Sequence, residues 1–178
     1  MIKQHYISQI LNNESDINGT VKLYVLVDGI QYERVFGEPL KNAKGICSLF
    51  TFPEDKKLDF AGPWLLNVPT LTPEMLHRID ELESKYPAVS WIITSKEFET
   101  LAHHLGLYLT VSFPSKKTGL LRFYDCRVLN ILPIILLPEQ MKTLMTEIYK
   151  WAFLFEENIK VHCYENDAVK TKIILKKQ

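Results

Sequence analysis

The sequence has 178 residues, of which 47% are hydrophobic and 24% charged, a size and composition that suit one globular domain. It carries 21 basic and 21 acidic residues, and its formal net charge of zero gives no long-range field to attract nucleic acid or an anionic membrane. The three cysteines are too few and too widely spaced for a disulfide framework, and the longest apolar run is far shorter than the ~20 residues of a membrane span. We therefore expect a cytoplasmic protein that binds neither nucleic acid nor membrane.

The first half of the chain alternates predicted strands with predicted helices. An apolar pattern with a helical period at 2–11 precedes a polar loop at 12–20. Thr72 is a helix cap and Pro73 occupies the first helical position, so a helix begins there, and a Ser/Thr-x-x-Glu pattern begins another at Thr94. The predicted helices of this half are 2–11, 30–36, 73–86 and 95–105. The predicted strands are 23–28, 46–52, 62–68 and 89–94.

The second half centres on residues 119–129, Gly-Leu-Leu-Arg-Phe-Tyr-Asp-Cys-Arg-Val-Leu. Side chains alternate at 120–124, which predicts a strand, and Asp125 then caps a helix. An apolar stripe with helical spacing predicts a long helix over 138–155. The remaining predicted strands are 107–113 and a hairpin formed by 159–164 and 170–176 around the turn 165–167.

These elements predict an α/β fold (mixed α+β) in which helices flank a central mixed sheet. The strand at 23–28 is almost continuously apolar, so we expect it to be buried on both faces. Residues 1–137 would form the core. Residues 138–178 would form a small C-terminal helix-plus-hairpin extension, packed on the core as part of one domain.

The change of period at Asp125 places charged side chains near one strand-to-helix corner. Arg122 and Asp125 flank the junction, and Arg127 lies one step into the helix. Asp28 ends the strand at 23–28, a position at which α/β proteins often keep an active-site acid. We interpret these four residues as a structural charged network, in which aspartates cap helices and arginines pair with carboxylates. The alternatives are an anion site at the corner and a hydrolase that acts through Asp28 with Asp125 or a histidine.

The sequence predicts no catalytic residue, no metal ligand and no cofactor. It contains no Gly-rich phosphate loop, no Gly-x-Ser-x-Gly elbow, no His-Glu-x-x-His and no Cys-x-x-Cys. His103 and His104 are adjacent and point about 100° apart on a helix, so they suit a helix surface better than one metal ion. His162 and Cys163 alternate across a predicted strand and point to opposite faces.

The C-terminal apolar stripe exceeds what one helix face can bury. The apolar run at 131–137 is interrupted by Pro133, and the predicted helix at 138–155 ends in Trp-Ala-Phe-Leu-Phe, with Leu154 off the stripe. We expect part of this surface, and the edge of the C-terminal hairpin, to bind a partner polypeptide. The candidate partner-binding residues are Ile134, Ile135, Leu137, Trp151, Leu154, Phe155 and Ile174.

Several blocks of the sequence follow one another in the order and spacing of a bacterial family. They are Leu23-Tyr-Val-Leu-Val-Asp28, Gly62-Pro-Trp-Leu65, Trp91-Ile-Ile-Thr-Ser95, His103-His-Leu105, Arg122-Phe-Tyr-Asp-Cys-Arg-Val-Leu129 and Pro138-Glu-Gln140. On these blocks the chain resembles the type VI secretion adaptor, or effector chaperone, family (Tap or Tec proteins). Cys126 stands where that family usually has proline, a change that the first turn of a helix tolerates.

The resemblance implies a protein that is not an enzyme. Members of the family bind a toxic effector protein in the cytoplasm and help to load it onto the VgrG spike protein, so these two proteins are the implied partners. The C-terminal part of the family varies and is expected to set the choice of cargo, so no effector-binding residue is carried over. Besides the hydrolase, a homodimer that buries its own surplus apolar surface is an alternative.

Overall fold

The computed structural model describes residues 3–50, 56–112 and 115–176. Its strands are β1 (Lys22–Asp28), β2 (Ile46–Ser48), β3 (Pro63–Asn67), β4 (Val89–Thr94), β5 (Thr110–Ser112), β6 (Thr118–Leu120), β7 (Ile148–Phe155), β8 (Asn158–Glu165) and β9 (Ala168–Lys176). Its helices are α1 (Lys3–Asn18), α2 (Gly29–Phe36), α3 (Pro73–Lys85), α4 (Phe98–Gly106), α5 (Cys126–Ile135) and α6 (Pro138–Leu144). Short 3-10 helices at Lys56–Ala61 and Val68–Thr70 precede and follow β3.

Seven strands form one sheet in the order β2-β3-β1-β4-β7-β8-β9, and β5 pairs separately with β6. The predicted α+β class, with a central sheet flanked by helices, is confirmed. The prediction of a mixed sheet was wrong, because every pair of described strands is antiparallel. Two-residue turns join β7 to β8 and β8 to β9, and connections this short can link only antiparallel neighbours.

Side chains of the sheet alternate between two apolar cores, one on each face. On β1, Tyr24 and Leu26 pack with α4, α5 and α6, whereas Val25 and Val27 pack with α1, α2 and α3. Strands β4 and β7 divide their side chains in the same way. Because helices cover both faces, β1 is apolar almost throughout, which confirms the prediction of a strand buried on both faces.

The predicted long helix over 138–155 was wrong. α6 ends at Leu144, and the chain turns through Glu147, which has a φ of 60°, before it enters β7. β7 lies inside the sheet and pairs with β4 on one side and β8 on the other. Both faces of β7 are buried, so apolar side chains occur at successive positions. The alternation of apolar and polar residues that identifies a half-exposed strand is therefore absent. Its aromatic and β-branched residues nevertheless favour a strand.

The predicted strand at 120–124 was also wrong. β6 ends as this stretch begins, and the chain then turns so that the N–H of Phe123 donates to the carbonyl of Leu121 (3.0 Å). Phe123 is fully buried, with its ring edge-on to that of Trp151 and the two centroids 5.8 Å apart. Packing against β7, rather than a strand ladder, therefore determines the conformation of this stretch.

The start of α5 confirms the predicted cap. Asp125 precedes the helix in an extended conformation, and its Oδ1 accepts a hydrogen bond from the N–H of Arg127 (2.9 Å). Pro133 lies inside α5 and does not interrupt it. The apolar run at 131–137 therefore spans the end of α5 and the two residues that link it to α6.

Other predicted elements are confirmed with shifted boundaries. β4, α3 and the β8–β9 hairpin occur where they were predicted. α1 continues to Asn18, so most of the predicted polar loop at 12–20 is helical. The predicted strand at 46–52 is shorter as β2, and its last two positions lie outside the described residues. α4 begins later than predicted, because Thr94 Oγ1 accepts a hydrogen bond from the N–H of Lys96 (3.1 Å) instead of capping the helix.

Candidate functional site

The charged corner brings Asp28, at the end of β1, next to Arg122, which precedes α5. Asp28 is 2% exposed, and its Oδ1 accepts a hydrogen bond from the N–H of Ile30 in the first turn of α2 (3.1 Å). Its Oδ2 accepts one from Nη2 of Arg122 (3.2 Å). The guanidinium also lies over the ring of Tyr124, with Cζ 5.4 Å from the centroid. Through its two carboxylate oxygens, Asp28 thereby links the end of β1 to α2 and to the segment that precedes α5.

Asp125 and Arg127 form a second ion pair at the same corner. Nε and Nη2 of Arg127 donate to Oδ1 and Oδ2 of Asp125, at 2.9 and 2.6 Å. The carboxylate is buried, whereas the arginine side chain extends into solvent. The corner thus brings together the four residues predicted as a charged network, as two pairs that each contain one buried carboxylate.

The two carboxyl groups differ in the direction of their pKa shifts. Burial raises the pKa of Asp28 above its ordinary value of 3.8, and Arg122 offsets only part of this effect. Burial acts on Asp125 too, but the hydrogen bonds from Arg127 and the backbone outweigh it and lower the pKa. A raised pKa in a buried acid is also a property of catalytic carboxyl groups, which keeps the hydrolase alternative testable at Asp28.

His162 supports the middle of α5 from the sheet. Pro133 has no N–H, so the carbonyl of Leu129 lacks its helical partner, and Nε2 of His162 lies 2.8 Å from that oxygen. Because a carbonyl only accepts, Nε2 carries the proton, and Nδ1 accepts a hydrogen bond from the hydroxyl of Thr171 (2.8 Å). Burial lowers the pKa of His162, which favours this neutral ring.

The adjacent histidines of α4 have different surroundings. His103 is exposed, as predicted for a helix surface. His104 is half-buried, with Nε2 2.8 Å from the carbonyl of Leu144 in α6, so the same prediction was wrong for this residue. Among the described residues, no three or more His, Cys, Asp and Glu side chains form a group that could hold a metal ion. None of the described helices has the length and apolar character that a membrane span requires.

Apolar side chains are exposed where α5 meets α6. Ile134 is 81% exposed, Leu137 67%, Ile135 50% and Ile131 41%. We call these four residues the elbow patch. Sequence reasoning named three of them but missed Ile131, although its spacing from Ile134 and Ile135 places it on the same side of a helix.

The other candidates for partner binding differ in exposure. Trp151 is fully buried, so its assignment to a binding surface was wrong. It lies on β7 in the core beneath α5, where its Nε1 donates a hydrogen bond to Oγ of Ser90 (2.9 Å). Leu154 and Phe155, at the end of β7, are half-buried, and Ile174 on β9 is exposed.

The geometry places the protein in the α+β class, with a charged corner that is paired internally and an apolar elbow that is exposed. Within that class, the chain belongs to the family described as a domain of unknown function (DUF4123), whose profile matches residues 23–142, more than half of the chain. The match begins in β1 and ends in α6, so it includes the charged corner and the elbow patch, and β7, β8 and β9 follow it. No curated protein and no solved structure matches the chain.

Proposed function

We propose that this protein is a non-catalytic adaptor of a type VI secretion system, which binds a toxic effector in the cytoplasm and helps to load it onto the VgrG spike. The observation that carries the proposal is the family match over residues 23–142. The DUF4123 family is associated with type VI secretion adaptor, or effector chaperone, proteins. The sequence blocks at 62–65 and 122–129, which resemble those adaptors, lie inside the match.

The elbow patch is the surface that we assign to the effector. Single exposed apolar residues are ordinary on any protein, but these four lie together within the matched region. Full burial of one Ile or Leu side chain contributes about 1.5–3 kcal/mol. A cluster of four therefore has the size of a binding hot spot, even after the cost of ordering the partner is subtracted.

The pairing of charges at the corner supports the non-catalytic part of the proposal. Asp28 and Asp125 each bind a backbone N–H and an arginine. A carboxyl group that acts on a substrate must come within hydrogen-bond reach of it. Asp28 instead is buried and directed at its own fold, as expected of a residue that holds a strand against a helix.

The test is co-purification of the tagged chain from its native bacterium. We expect it to recover a VgrG spike protein and a toxic effector. Ile134→Glu places a charge in the elbow patch and should reduce recovery of the effector about tenfold. The matched control is Ile17→Glu, because Ile17 is 75% exposed on α1, outside the family match, and this variant should recover the effector normally.

Each outcome of this experiment bears on one part of the proposal. Recovery of neither a spike protein nor a toxin would overturn the adaptor function. Unchanged recovery of the effector by Ile134→Glu would reject the elbow patch as its surface and leave the adaptor function standing. If light scattering shows that the purified chain is a dimer and that Ile134→Glu is a monomer, the homodimer alternative is favoured instead.

A further inference from the structure

The sheet ends at β9, and the outer edge of this strand has no neighbour among the described strands. β9 is nine residues long and pairs with β8 in a regular ladder from Ala168 to Ile173, after which the register shifts opposite Ile159. The strand at the opposite edge, β2, has only three residues. A long free edge presents a row of N–H and C=O groups with which a further strand can pair.

The turn between β8 and β9 determines which backbone groups face outward. Its two residues, Asn166 and Asp167, have φ values of 51° and 61°, as in a type I′ hairpin. The pair that flanks such a turn is hydrogen-bonded, and hydrogen-bonded pairs then alternate along the ladder. The N–H and C=O groups of Val169, Thr171 and Ile173 therefore point away from β8, toward the free edge.

The side chains of these three residues lie on the face of the sheet that α5 and α6 cover. Thr171 shows this directly, since it binds the histidine beneath α5. Ile173 is 56% exposed and pairs with Lys160. Nζ of Lys160 donates to Oδ1 of Asn130 on α5 (2.8 Å), and Ile134 lies one helical turn beyond Asn130. This hydrogen bond links β8, the neighbour of β9, to the helix that carries most of the elbow patch.

The opposite face of β9 is basic. Lys170 and Lys172 alternate along β9 with Val169, Thr171 and Ile173. Their side chains therefore project from the face of the sheet opposite α5 and α6. Both are exposed. Lys172 contacts Glu165 on β8, whereas Lys170 forms no ion pair with the part of the chain that the structure describes. The edge therefore carries Val169, Thr171 and Ile173 on the helix side and two lysines on the other side.

A second copy of the chain does not suit this edge. If two β9 strands paired antiparallel about Thr171, Lys170 of each would lie directly opposite Lys172 of the other. Like charges in directly opposite positions destabilise a strand pair. A strand with acidic residues at those positions would form cross-strand ion pairs instead.

We propose that the free edge of β9 binds an extended segment of the effector as an additional strand. Acidic residues of the segment would face Lys170 and Lys172, and apolar residues would face Ile173 on the helix side. The source of the segment rests on the adaptor function proposed above, whereas its chemistry rests on the edge itself. Backbone hydrogen bonds would provide affinity for any extended segment. The contacts of its alternating side chains would determine which segment binds most tightly.

The test uses the full chain and two synthetic peptides of about ten residues, the length of a long strand. In one peptide valine alternates with glutamate, and in the other valine alternates with lysine. We expect fluorescence anisotropy to show that the glutamate peptide binds at least about tenfold more tightly, with an affinity that falls as salt is added. Hydrogen exchange at the amides of Thr171 and Ile173 should slow when that peptide is bound.

Two substitutions at Ile173 separate the contribution of its backbone N–H to peptide binding from the contribution of its side chain. Ile173→Pro removes an outward N–H but leaves the β8–β9 ladder intact, and proline is tolerated at such edge positions. Ile173→Thr is the matched control, because it keeps the N–H. We expect the proline variant to bind the glutamate peptide about tenfold more weakly than the threonine variant. Lys170→Glu, which keeps every backbone N–H and C=O group of the ladder, should shift the preference toward the lysine peptide.

Three results would overturn the proposed strand addition at β9. They are equal binding of the two peptides, unchanged exchange at Thr171, and equal affinity of the two Ile173 variants. Failure of the glutamate peptide to bind at millimolar concentration would overturn it as well. Co-purification of the effector and the spike from the native bacterium would be unaffected by these results, so failure of the edge proposal is distinguishable from failure of the adaptor function.

Discussion

At its N-terminal end α5 is anchored by charges, whereas at its C-terminal end it exposes apolar side chains. Asp125 caps the helix and binds Arg127, while the neighbouring Asp28 binds Arg122. The elbow patch at the other end faces solvent. The charged end resembles an active site when only the sequence is read, yet each charge there has a partner. Because the charges are paired with one another, we assign binding to the exposed apolar end of α5 rather than to the charged end.

The largest effect on stability should come from truncating the side chain of Trp151, which packs beneath the charged end of α5. Trp151 is fully buried and packs edge-on against Phe123, just before α5. We expect Trp151→Ala to lower the free energy of unfolding by about 3–5 kcal/mol, measured by urea denaturation, because it leaves a cavity there. Trp151→Phe is the control and should cost clearly less. A loss below about 1 kcal/mol in the alanine variant would contradict the buried position and return Trp151 to the binding candidates.

The next largest effect should follow loss of the cap of α5. Asp125→Ala removes the acceptor for the N–H of Arg127 and should lower the free energy of unfolding by about 1–2 kcal/mol. Asp125→Asn keeps an oxygen at the same position and should cost less. Equal losses in the two variants, measured by urea denaturation, would show that the ion pair rather than the cap stabilises this end.

The middle of α5 should respond to pH through His162. Burial lowers the pKa of this residue below its ordinary value of 6.5, so the unfolded chain binds the proton more readily. Its contribution to stability is therefore present above pH ~6.5 and is lost as the pH falls below that value. His162→Gln can keep both hydrogen bonds without titrating, and its stability should fall less between about pH 7 and pH 5.

His104 provides the internal control for this comparison. Burial lowers its pKa as well, and it is present in both proteins, so its effect cancels in the difference. Urea denaturation at several pH values gives the two slopes. Identical slopes in the wild type and the glutamine variant would refute the assignment of the pH dependence to His162.

A smaller effect is expected at Asp28, with a dependence on pH of the opposite sign. Burial raises the pKa of Asp28, so the folded state holds its proton more firmly than the unfolded state. The contribution of protonated Asp28 to stability is present below the pKa that this residue has in the unfolded chain. It is lost as the pH rises through the higher pKa of the folded state. Relative to the wild type, Asp28→Asn should therefore gain stability as the pH rises from acid to neutral.

At neutral pH we expect Asp28→Asn to change the free energy of unfolding by less than about 1 kcal/mol, because the lost ion pair involves a partly exposed arginine. The asparagine oxygen can still accept the hydrogen bond from Ile30. A difference from the wild type that does not vary with pH would refute the shifted pKa. Loss of an enzymatic activity in a correctly folded variant would favour the hydrolase alternative.

Local signals in the sequence predicted the charged end of α5 well. A cap depends on residues a few positions apart, so Asp125 and Thr72 could both be identified as caps, and both accept the expected backbone hydrogen bonds. The strands β1 and β4 could be found because each is a compact apolar run between polar neighbours. The exposed elbow could be anticipated because the C-terminal half of the chain carries more apolar residues than one helix face can bury.

Features that depend on distant parts of the chain could not be read from the sequence. Asp28 and Arg122 are separated by 94 positions, so the sequence could place both in one charged network but could not show that they pair with each other. Pro133 frees a carbonyl in α5, but only the fold places His162 beneath it. The same limit explains β7, because its identity as a strand comes from pairing with β4 and β8, whereas its residue spacing alone matched a helix.

The smallest effect on stability should come from the exposed end of α5. Ile134 is largely solvent-exposed, so Ile134→Glu should change the free energy of unfolding by no more than about 0.5 kcal/mol, the same as Ile17→Glu. Urea denaturation of the two variants side by side measures this. A loss above about 1 kcal/mol in Ile134→Glu alone would mean that Ile134 stabilises the fold. In that case its weakened binding of the effector would reflect damage to α5, and the contrast between the two ends of the helix would no longer separate folding from binding.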